Sequence, residues 1–458
     1  MPRKSDARRP GRGRSGKGRP RGGRRPSRAQ AFKEPARVTV TALAAQGDGV
    51  AQTDDGRRLF IPFTVPGDEA DVLIGPARGD GFEARVVSLA NQAPRSEPFC
   101  RHFQTCGGCS VQHLTEADYT AWKRDILITA LARRGLDVEV RGIASVPRDD
   151  RRRVTFQAEH GSGGVVVGFA ERRGSRIADI DSCPLLLPGL NALIPALRNL
   201  AAAMLAPGER ARFALAQVVG ADGPALDLVI ERDREPDLAA REALAEFART
   251  AAVGRISWRD KSGLVEPVAK LAPVSAAYGS ASVDIPPGGF MQPTAAGETI
   301  LRDAVVAGAA GAAQIAELYA GAGTFTLALA GLCRVHAVDG DDALARALST
   351  GAGRSGLGGR IHVETRDLAA RPLLPGELKD FDTVVLDPPR AGALRQVEQI
   401  VQAPGIHRVV MVSCNPQTFA RDVRVLTDGG FACGPIQPVD QFPYSHHLEC
   451  VAVLTRGG

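Results

Sequence analysis

The stretch VVMVSCNPQT, residues 409–418, places a cysteine where a buried strand has to end. The apolar residues before Ser413 favour β structure, and Pro416 lacks the amide N–H that a continuing strand would donate. Cys414 therefore stands at the C-terminal edge of a strand, where it either fills the core or acts as a nucleophile. Because a free cysteine is mostly protonated at neutral pH, a nucleophilic Cys414 requires a lowered pKa or a nearby proton acceptor.

A glycine-rich turn predicts a nucleotide site earlier in the last third of the chain. Residues 312–331, AAQIAELYAGAGTFTLALAG, read as a strand, a turn containing Gly321 and Gly323, and a helix. A second predicted strand ends at Asp339, where an acid can bind ribose hydroxyls. The turn lacks the third glycine of a dinucleotide site, and ELYAGAG fits an S-adenosylmethionine site better.

A further strand, in FDTVVLDPPRAG, ends at Asp387. Since parallel strands point their C-terminal ends at one crevice, Asp387 and Cys414 should lie at the same edge as the glycine turn. We therefore predict an α/β, Rossmann-like domain that carries the chemistry.

Three cysteines close together indicate a metal site. Cys100, Cys106 and Cys109 have the spacing C-x5-C-x2-C, and Cys183 offers a distant fourth thiolate. A compact run with one remote ligand is common in [4Fe–4S] proteins. His113 would instead complete a Cys3His zinc site. Spacing alone predicts a metal and leaves its identity open.

The length of the chain and the distribution of its charge limit the possible domain organisation. A chain of 458 residues exceeds one ordinary domain, and it has no apolar run of membrane-span length. We expect a soluble, cytoplasmic protein whose eight cysteines do not form a disulfide framework. Residues 1–30 hold twelve Lys or Arg against one acid, which leaves a net charge of −5 on the remainder. This composition predicts a disordered basic arm that binds phosphate backbones without sequence choice.

The segments between the arm and the last third predict two further domains. Alternating Val residues and turn signals from 36 to about 90 indicate a small β-barrel. The turn GDGVA followed by LFIPFTVPGDEADVLI resembles the TRAM domain, an OB-like RNA-binding barrel. Residues 151–287 mix β-like and helical stretches, which predicts an α+β middle domain.

Taken together, the chain resembles the RNA 5-methyluridine (uracil-C5) methyltransferase family, in its bacterial branch with a TRAM domain and an iron–sulfur cluster. The resemblance rests on five motifs: FMQP at 290–293, ELYAGAGTFTLALA at 317–330, LDPPRAG at 386–392, VSCNPQTFARDV at 412–423 and HHLECVAVL at 446–454. It implies S-adenosylmethionine as the methyl donor and a [4Fe–4S] cluster, rather than zinc, on Cys100, Cys106, Cys109 and Cys183.

The resemblance also implies roles for individual residues. Cys414 matches the nucleophile and Glu449 the base. The positions that contact the cofactor match Gln292, Tyr319, Thr324, Asp339 and Asp387, beside Gly321 and Gly323 of the turn. The family often has glutamate at the position of Asp339 and asparagine at that of Thr324, and a shorter acid still reaches a ribose hydroxyl.

The implied reaction is methylation of uridine C5 in RNA through a covalent Cys–C6 adduct, on a base flipped out of its stack. 23S rRNA is favoured over tRNA by resemblance only. An RNA cytosine-C5 methyltransferase is disfavoured because its Pro-Cys is replaced by Asp387-Pro388 here. A non-catalytic RNA-binding iron–sulfur protein would leave Cys414 and Glu449 unexplained.

The predicted organisation has four parts, and we expect a monomer that binds RNA, without a membrane or a protein partner. The parts are a basic tail at 1–33, a TRAM barrel at 34–92, a middle domain with the cluster at 93–288 and a methyltransferase domain at 289–458.

Overall fold

A computed structural model of the chain describes residues 32–457. The predicted tail, 1–33, lies outside these residues except for its last two positions. No helix within the described part is long and apolar enough to cross a membrane.

The first described unit is a closed five-stranded barrel in the order β1-β2-β3-β5-β4. Side chains alternate between the barrel interior and solvent, with Val38, Val40 and Val72 pointing inward. The predicted barrel is thus confirmed. Its strands are β1 (Glu34–Leu43), β2 (Gly49–Gln52), β3 (Arg58–Ile61), β4 (Glu69–Arg78) and β5 (Gly81–Asn91).

A helix and a short strand follow the barrel: α1 (Glu116–Ala132) and β6 (Ala144–Ser145). The side chain of Thr115 caps α1 by accepting a hydrogen bond from the amide of Asp118. Both elements pack with the C-terminal sheet described below rather than with the nearer middle domain.

The middle domain is a seven-stranded, mostly antiparallel sheet in the order β13-β12-β11-β10-β7-β8-β9. Two helices, α3 and α4, share one apolar core with it, which confirms the α+β prediction. The elements are β7 (Arg153–Gly161), β8 (Gly164–Ala170), β9 (Ile177–Asp179), α2 (Pro188–Asn191), α3 (Ile194–Met204), β10 (Arg210–Gly220), β11 (Gly223–Glu231), α4 (Leu238–Thr250), β12 (Arg255–Arg259) and β13 (Val265–Lys270), followed by the hairpin β14 (Ser275–Tyr278) and β15 (Ala281–Asp284).

The C-terminal domain is built on a sheet in the order β18-β17-β16-β19-β20-β23-β22-β6. The five strands from β18 to β20 are parallel, and β23 runs antiparallel to β20. Apolar cores cover both faces, as expected for strands with continuous apolar runs. The elements are α5 (Ala295–Gly308), β16 (Gln314–Leu318), α6 (Thr326–Leu329), β17 (Arg334–Asp339), α7 (Asp342–Arg354), β18 (Ile361–Thr365), β19 (Thr383–Leu386), α8 (Leu394–Val401), β20 (Arg408–Ser413), α9 (Pro416–Asp428), β21 (Ala432–Cys433), β22 (Gln437–Asp440) and β23 (Glu449–Thr455).

Helix α1 and strand β6 complete this C-terminal domain from a distant part of the chain. Leu127 and Leu131 of α1 lie in the same apolar core as Phe419 and Val423 of α9. Strand β6 pairs with β22 and extends the sheet by one strand. The predicted domain boundaries remain predictions, and residues 116–145 pack with the domain that follows position 288.

Candidate active site and cysteine site

A cavity of about 820 Å³ opens at the C-terminal edge of the parallel strands. Four predicted site residues end a strand or directly follow one: Tyr319 after β16, Asp339 at the end of β17, Asp387 after β19 and Cys414 after β20. The structure brings all but one of the predicted catalytic and cofactor residues to this cavity, namely Gln292, Tyr319, Gly321, Thr324, Asp339, Asp387, Cys414 and Glu449.

The two glycines of the turn have different surroundings. Gly321 has a φ of +58°, and a Cβ added there would meet no atom within 4 Å. Gly323 is not among the residues that line the cavity, and a Cβ there would lie 2.4 Å from Cδ1 of Leu348 in α7. The first glycine therefore leaves room for a ligand, whereas the second lets α7 pack against the turn. A cofactor contact at Gly323 stays a prediction.

Asp339 is fixed beside the turn by two backbone donors. The amide of Gly321 donates to its Oδ2 at 2.7 Å, and the amide of Asp341 donates to its Oδ1 at 2.8 Å. Burial raises the pKa of Asp339, and these two hydrogen bonds oppose that rise. Its carboxylate lines the cavity, where an acid can accept hydrogen bonds from ribose hydroxyls.

A buried amide network holds Gln292 against Asp387. Nε2 of Gln292 donates to Oδ2 of Asp387 at 3.3 Å, and Nε2 of Gln441 donates to Oε1 of Gln292 at 2.9 Å. Oγ1 of Thr294 in turn donates to Oε1 of Gln441 at 3.1 Å. Burial raises the pKa of Asp387 to about 7. Sequence reasoning missed Gln441, because nothing in its local pattern links it to residue 292.

Cys414 lies between a strand and a capped helix. Asn415 caps α9 by accepting from the amide of Gln417, and its Nδ2 donates to the carbonyl of Arg390 at 3.0 Å. Burial, followed by the charges of Glu449 and Asp387, raises the pKa of Cys414 to about 11. A lowered thiol pKa is therefore wrong for the free enzyme, whereas the alternative condition, a nearby proton acceptor, is met.

Strand pairing places Glu449 beside the thiol. In the antiparallel ladder of β20 and β23, Ser413 pairs with Cys450, so the next position along brings Cys414 to Glu449. Glu449 is 4% exposed, and burial and the charge of Asp387 raise its pKa to about 8. Within the described residues, no hydrogen bond fixes its carboxylate.

Arg390 is a further residue of the site that sequence reasoning did not assign. Its charge opposes the rise in the pKa of both Cys414 and Glu449. Its Nη2 lies 3.2 Å from Nε2 of His447. Its position within the LDPPRAG motif, shortly after the predicted strand that ends at Asp387, is the sequence feature from which a role in the site could have been predicted.

The four predicted metal-site cysteines line a second cavity, of about 620 Å³. The two sites share a wall, because five residues line both cavities: Arg151, Val154, Thr155, Arg390 and Phe442. Burial, aided by the neighbouring thiolates, raises the pKa of Cys109 to about 12. Among residues 32–457, no group of three or more His, Cys, Asp or Glu side chains is arranged to hold a metal ion. The metal therefore remains a prediction.

His113 belongs to a different environment from the cysteines. It is absent from the residues that line their cavity, and its ring packs against Phe63 and Phe103. Burial lowers the pKa of His113 to about 4. This placement does not support a Cys3His zinc site.

Comparison with known proteins places these features in a family. The model of the tRNA (uracil-5-)-methyltransferase family matches residues 375–457, and that of the TRAM domain matches residues 34–87. An uncharacterized RNA methyltransferase of Caulobacter vibrioides is 39% identical over 92% of this chain and 99% of its own length. The 23S rRNA (uracil(1939)-C(5))-methyltransferase of Edwardsiella ictaluri is 34% identical over 94% of this chain and 98% of its own.

A solved structure has the same fold. The tRNA (uracil-54, C5)-methyltransferase of Pyrococcus abyssi, in complex with S-adenosyl-L-homocysteine, superposes with a TM-score of 0.69 at 24% identity. The match covers 92% of this chain and 100% of that one.

Proposed function

The chain belongs to the RNA uracil-C5 methyltransferase family, and we propose that it methylates a uridine of 23S rRNA through a covalent bond between Cys414 and C6 of the base. The observation that carries the proposal is the strand register that sets Cys414 beside Glu449 at the edge of the cavity. The relative from Edwardsiella ictaluri supports ribosomal RNA as the substrate.

The cavity suits S-adenosylmethionine, which supplies an electrophilic methyl group when it is bound. Gly321 leaves open space at the turn, and Asp339 presents a carboxylate next to it. We assign Asp339 to the ribose hydroxyls, and Gln292, Tyr319, Thr324 and Asp387 to the remaining contacts. The side chain of Gln292 is held for this by Gln441.

Cys414 begins the reaction by adding to C6 of the flipped uracil. The addition converts the ring into an enolate, which makes C5 nucleophilic enough to accept a methyl group. Because burial keeps the thiol protonated, it must first lose its proton to a neighbour. We assign this proton to the carboxylate of Asp387, whose charge acts on the thiol and whose pKa is about 7, so that ionised Glu449 is kept for the last step. The three groups titrate as a coupled set.

Glu449 completes the reaction by removing the proton from C5. The electron pair of the C5–H bond then forms the C5–C6 double bond, and the bond from C6 to the Cys414 sulfur breaks. A general base of this kind contributes roughly 10²–10⁴-fold to the rate. The nucleophile thus acts in the first step of the reaction and the base in the last.

We assign the four cysteines to a [4Fe–4S] cluster with a structural or RNA-positioning role. The four thiols line one cavity together, and cysteine thiolates are the usual ligands of such clusters. The backbone also links this site to the active site, because the amide of Ser110 donates to the carbonyl of Tyr444 at 2.8 Å. Tyr444 lies in the loop that leads to Glu449.

The experiment that tests the function is transfer to RNA whose uridines carry tritium at C5. Methylation of a 23S rRNA fragment should release tritium into water, and cells that lack the protein should lack a 5-methyluridine in 23S rRNA. Methylation without tritium release would exclude C5 as the target. Loss of the modification from tRNA instead would assign the substrate to tRNA.

A further inference from the structure

One lysine is completely buried beneath the active-site loop. Lys123 of α1 has no exposed surface, and its ammonium group uses all three of its donors. Nζ donates to Oδ1 of Asp440 at 2.7 Å, to the carbonyl of His447 at 2.6 Å and to the carbonyl of Phe442 at 3.2 Å. A single side chain from residue 123 therefore binds both ends of the segment 440–447.

Asp440 extends the same network. Its second carboxylate oxygen accepts a hydrogen bond from the hydroxyl of Tyr119, which lies one helical turn before Lys123. The amide of Phe442 donates to Oδ1 of Asp440 at 3.1 Å, and the amide of Tyr444 donates to the Tyr119 hydroxyl at 3.0 Å. Helix α1 thus holds the loop between β22 and β23 through side chains that are all buried.

This loop ends where the proposed base begins. Glu449 follows the Lys123-bound carbonyl of His447 by two residues and opens β23. Within the described part of the chain, no hydrogen bond orients the Glu449 carboxylate, so its position depends on the backbone at 447–449 and on the packing around its buried side chain. A shift of that backbone would move the carboxylate relative to Cys414, although no residue touching the substrate had changed.

The network is poorly explained by stability alone. A buried ion pair loses its hydration, and replacement of such a pair by uncharged residues is often neutral or stabilising. The best-attested benefit of buried polar groups is that they select one arrangement over its alternatives. Here the arrangement selected is that of the loop before Glu449.

We propose that Lys123 and Asp440 are positioning residues for proton abstraction, which they serve by fixing the loop that places Glu449 beside C5 of the uridine. The inference rests on the proposed function of Glu449. Neither residue lines the active-site cavity, so both act through the backbone of the loop.

The test uses variants that separate positioning from stability. Lys123→Met alone leaves Asp440 buried without its cation, which threatens folding. The double variant Lys123→Met/Asp440→Asn removes both charges and keeps an acceptor for the Phe442 amide. Tyr119→Phe is a milder second variant that deletes only the hydroxyl. Arg232→Met is the control, because Arg232 is also a buried cation, 9% exposed, and is paired with Glu209 in the middle domain, away from the loop.

Single-turnover reactions with 23S rRNA follow two steps, formation of the methylated adduct and its decay with tritium release. In the double variant, the rate of adduct formation should stay within about threefold of wild type, whereas the rate of adduct decay should fall about tenfold or more. This fall is a part of the roughly 10²–10⁴-fold that a general base contributes to the rate. Tyr119→Phe should slow the same step less. Arg232→Met should leave the ratio of the two steps unchanged.

Two outcomes would overturn the inference. In the first, the adduct decays at the wild-type rate in both the double variant and Tyr119→Phe. In the second, adduct formation and adduct decay slow equally, which indicates a structural role only. The wild-type reaction separates this failure from that of the proposed function. If wild type forms no adduct and releases no tritium, the function of Glu449 is wrong, whatever the variants do.

Discussion

At the scale of single residues, three acidic groups share one buried site. Cys414, Glu449 and Asp387 each have a raised pKa, chiefly because burial disfavours their charged forms. Near neutral pH the thiol therefore stays protonated, whereas Asp387, with a pKa of about 7, is divided between its charged and neutral forms. The charge of Arg390 opposes the rise in pKa at the thiol and at Glu449. The sequence indicated a nucleophile and a base, but it could not show that burial would suppress the thiolate.

The raised pKa of Glu449 predicts how stability depends on pH. Its pKa rises from 4.5 unfolded to about 8 folded, so its contribution is fully present below 4.5 and is lost as the pH rises through 8. Glu449→Gln cannot ionise and escapes this loss. The melting temperature of the variant relative to wild type should therefore increase between about pH 5 and about pH 9. A difference that is constant with pH would contradict the pKa assignment.

At the scale of elements, the site is made by strand ends that the sequence marks with Gly, Asp, Pro and Cys. The ends after β16, β17, β19 and β20 could be predicted, because each apolar run stops at a polar or turn-forming residue. Helix α1 and strand β6 could not be assigned to the same sheet, since that pairing depends on contacts with residues almost 300 positions away. For the same reason, Gln441 and the loop network of Lys123 had no local signal.

The two glycines of the turn should respond differently to alanine. Gly323→Ala would place a Cβ against Leu348. We therefore expect this variant to lose both thermal stability and affinity for the cofactor. Gly321→Ala has space for the methyl group and bears only the strain of a positive φ, about 1–2 kcal/mol. It should lower the affinity for S-adenosylmethionine with a smaller change in melting temperature. Calorimetric titration and thermal denaturation of both variants measure this, and equal behaviour would refute the distinction.

The cysteine site predicts a coloured protein. Prepared without oxygen, the chain should be brown and contain about four irons, and Cys109→Ser should lose them. Cys433→Ser, outside the cavity, is the matched control and should keep the full iron content. Colourless protein with one equivalent of zinc would exclude the cluster.

At the scale of the whole molecule, the barrel, the middle sheet and the C-terminal domain surround two adjoining cavities. Domain types and order could be predicted, because each segment changes its pattern of apolar residues. The wall that the two cavities share could not be predicted, since its residues come from segments far apart in sequence: Arg151, Val154, Thr155, Arg390 and Phe442. The predicted basic arm lies outside the described residues, so its composition is the basis for the prediction that follows.

Deletion of residues 1–30 removes a net charge of +11. Contacts to the phosphate backbone weaken with salt and carry no sequence information. The truncated chain should therefore bind RNA more weakly, mainly at low salt, and show a shallower dependence of affinity on salt concentration. The modified uridine should stay the same. A changed modification site would show that the arm reads the substrate.

The most direct test of the central claim is mass spectrometry of denatured reactions of Glu449→Gln with a 23S rRNA fragment and S-adenosylmethionine. This variant retains the thiol but lacks the base, so it should accumulate RNA linked to Cys414 and carrying one added methyl group. Cys414→Ala should bind RNA and cofactor yet form neither adduct nor product, and Cys333→Ala should behave as wild type. Normal turnover by Glu449→Gln, or methylated RNA from Cys414→Ala, would contradict the account.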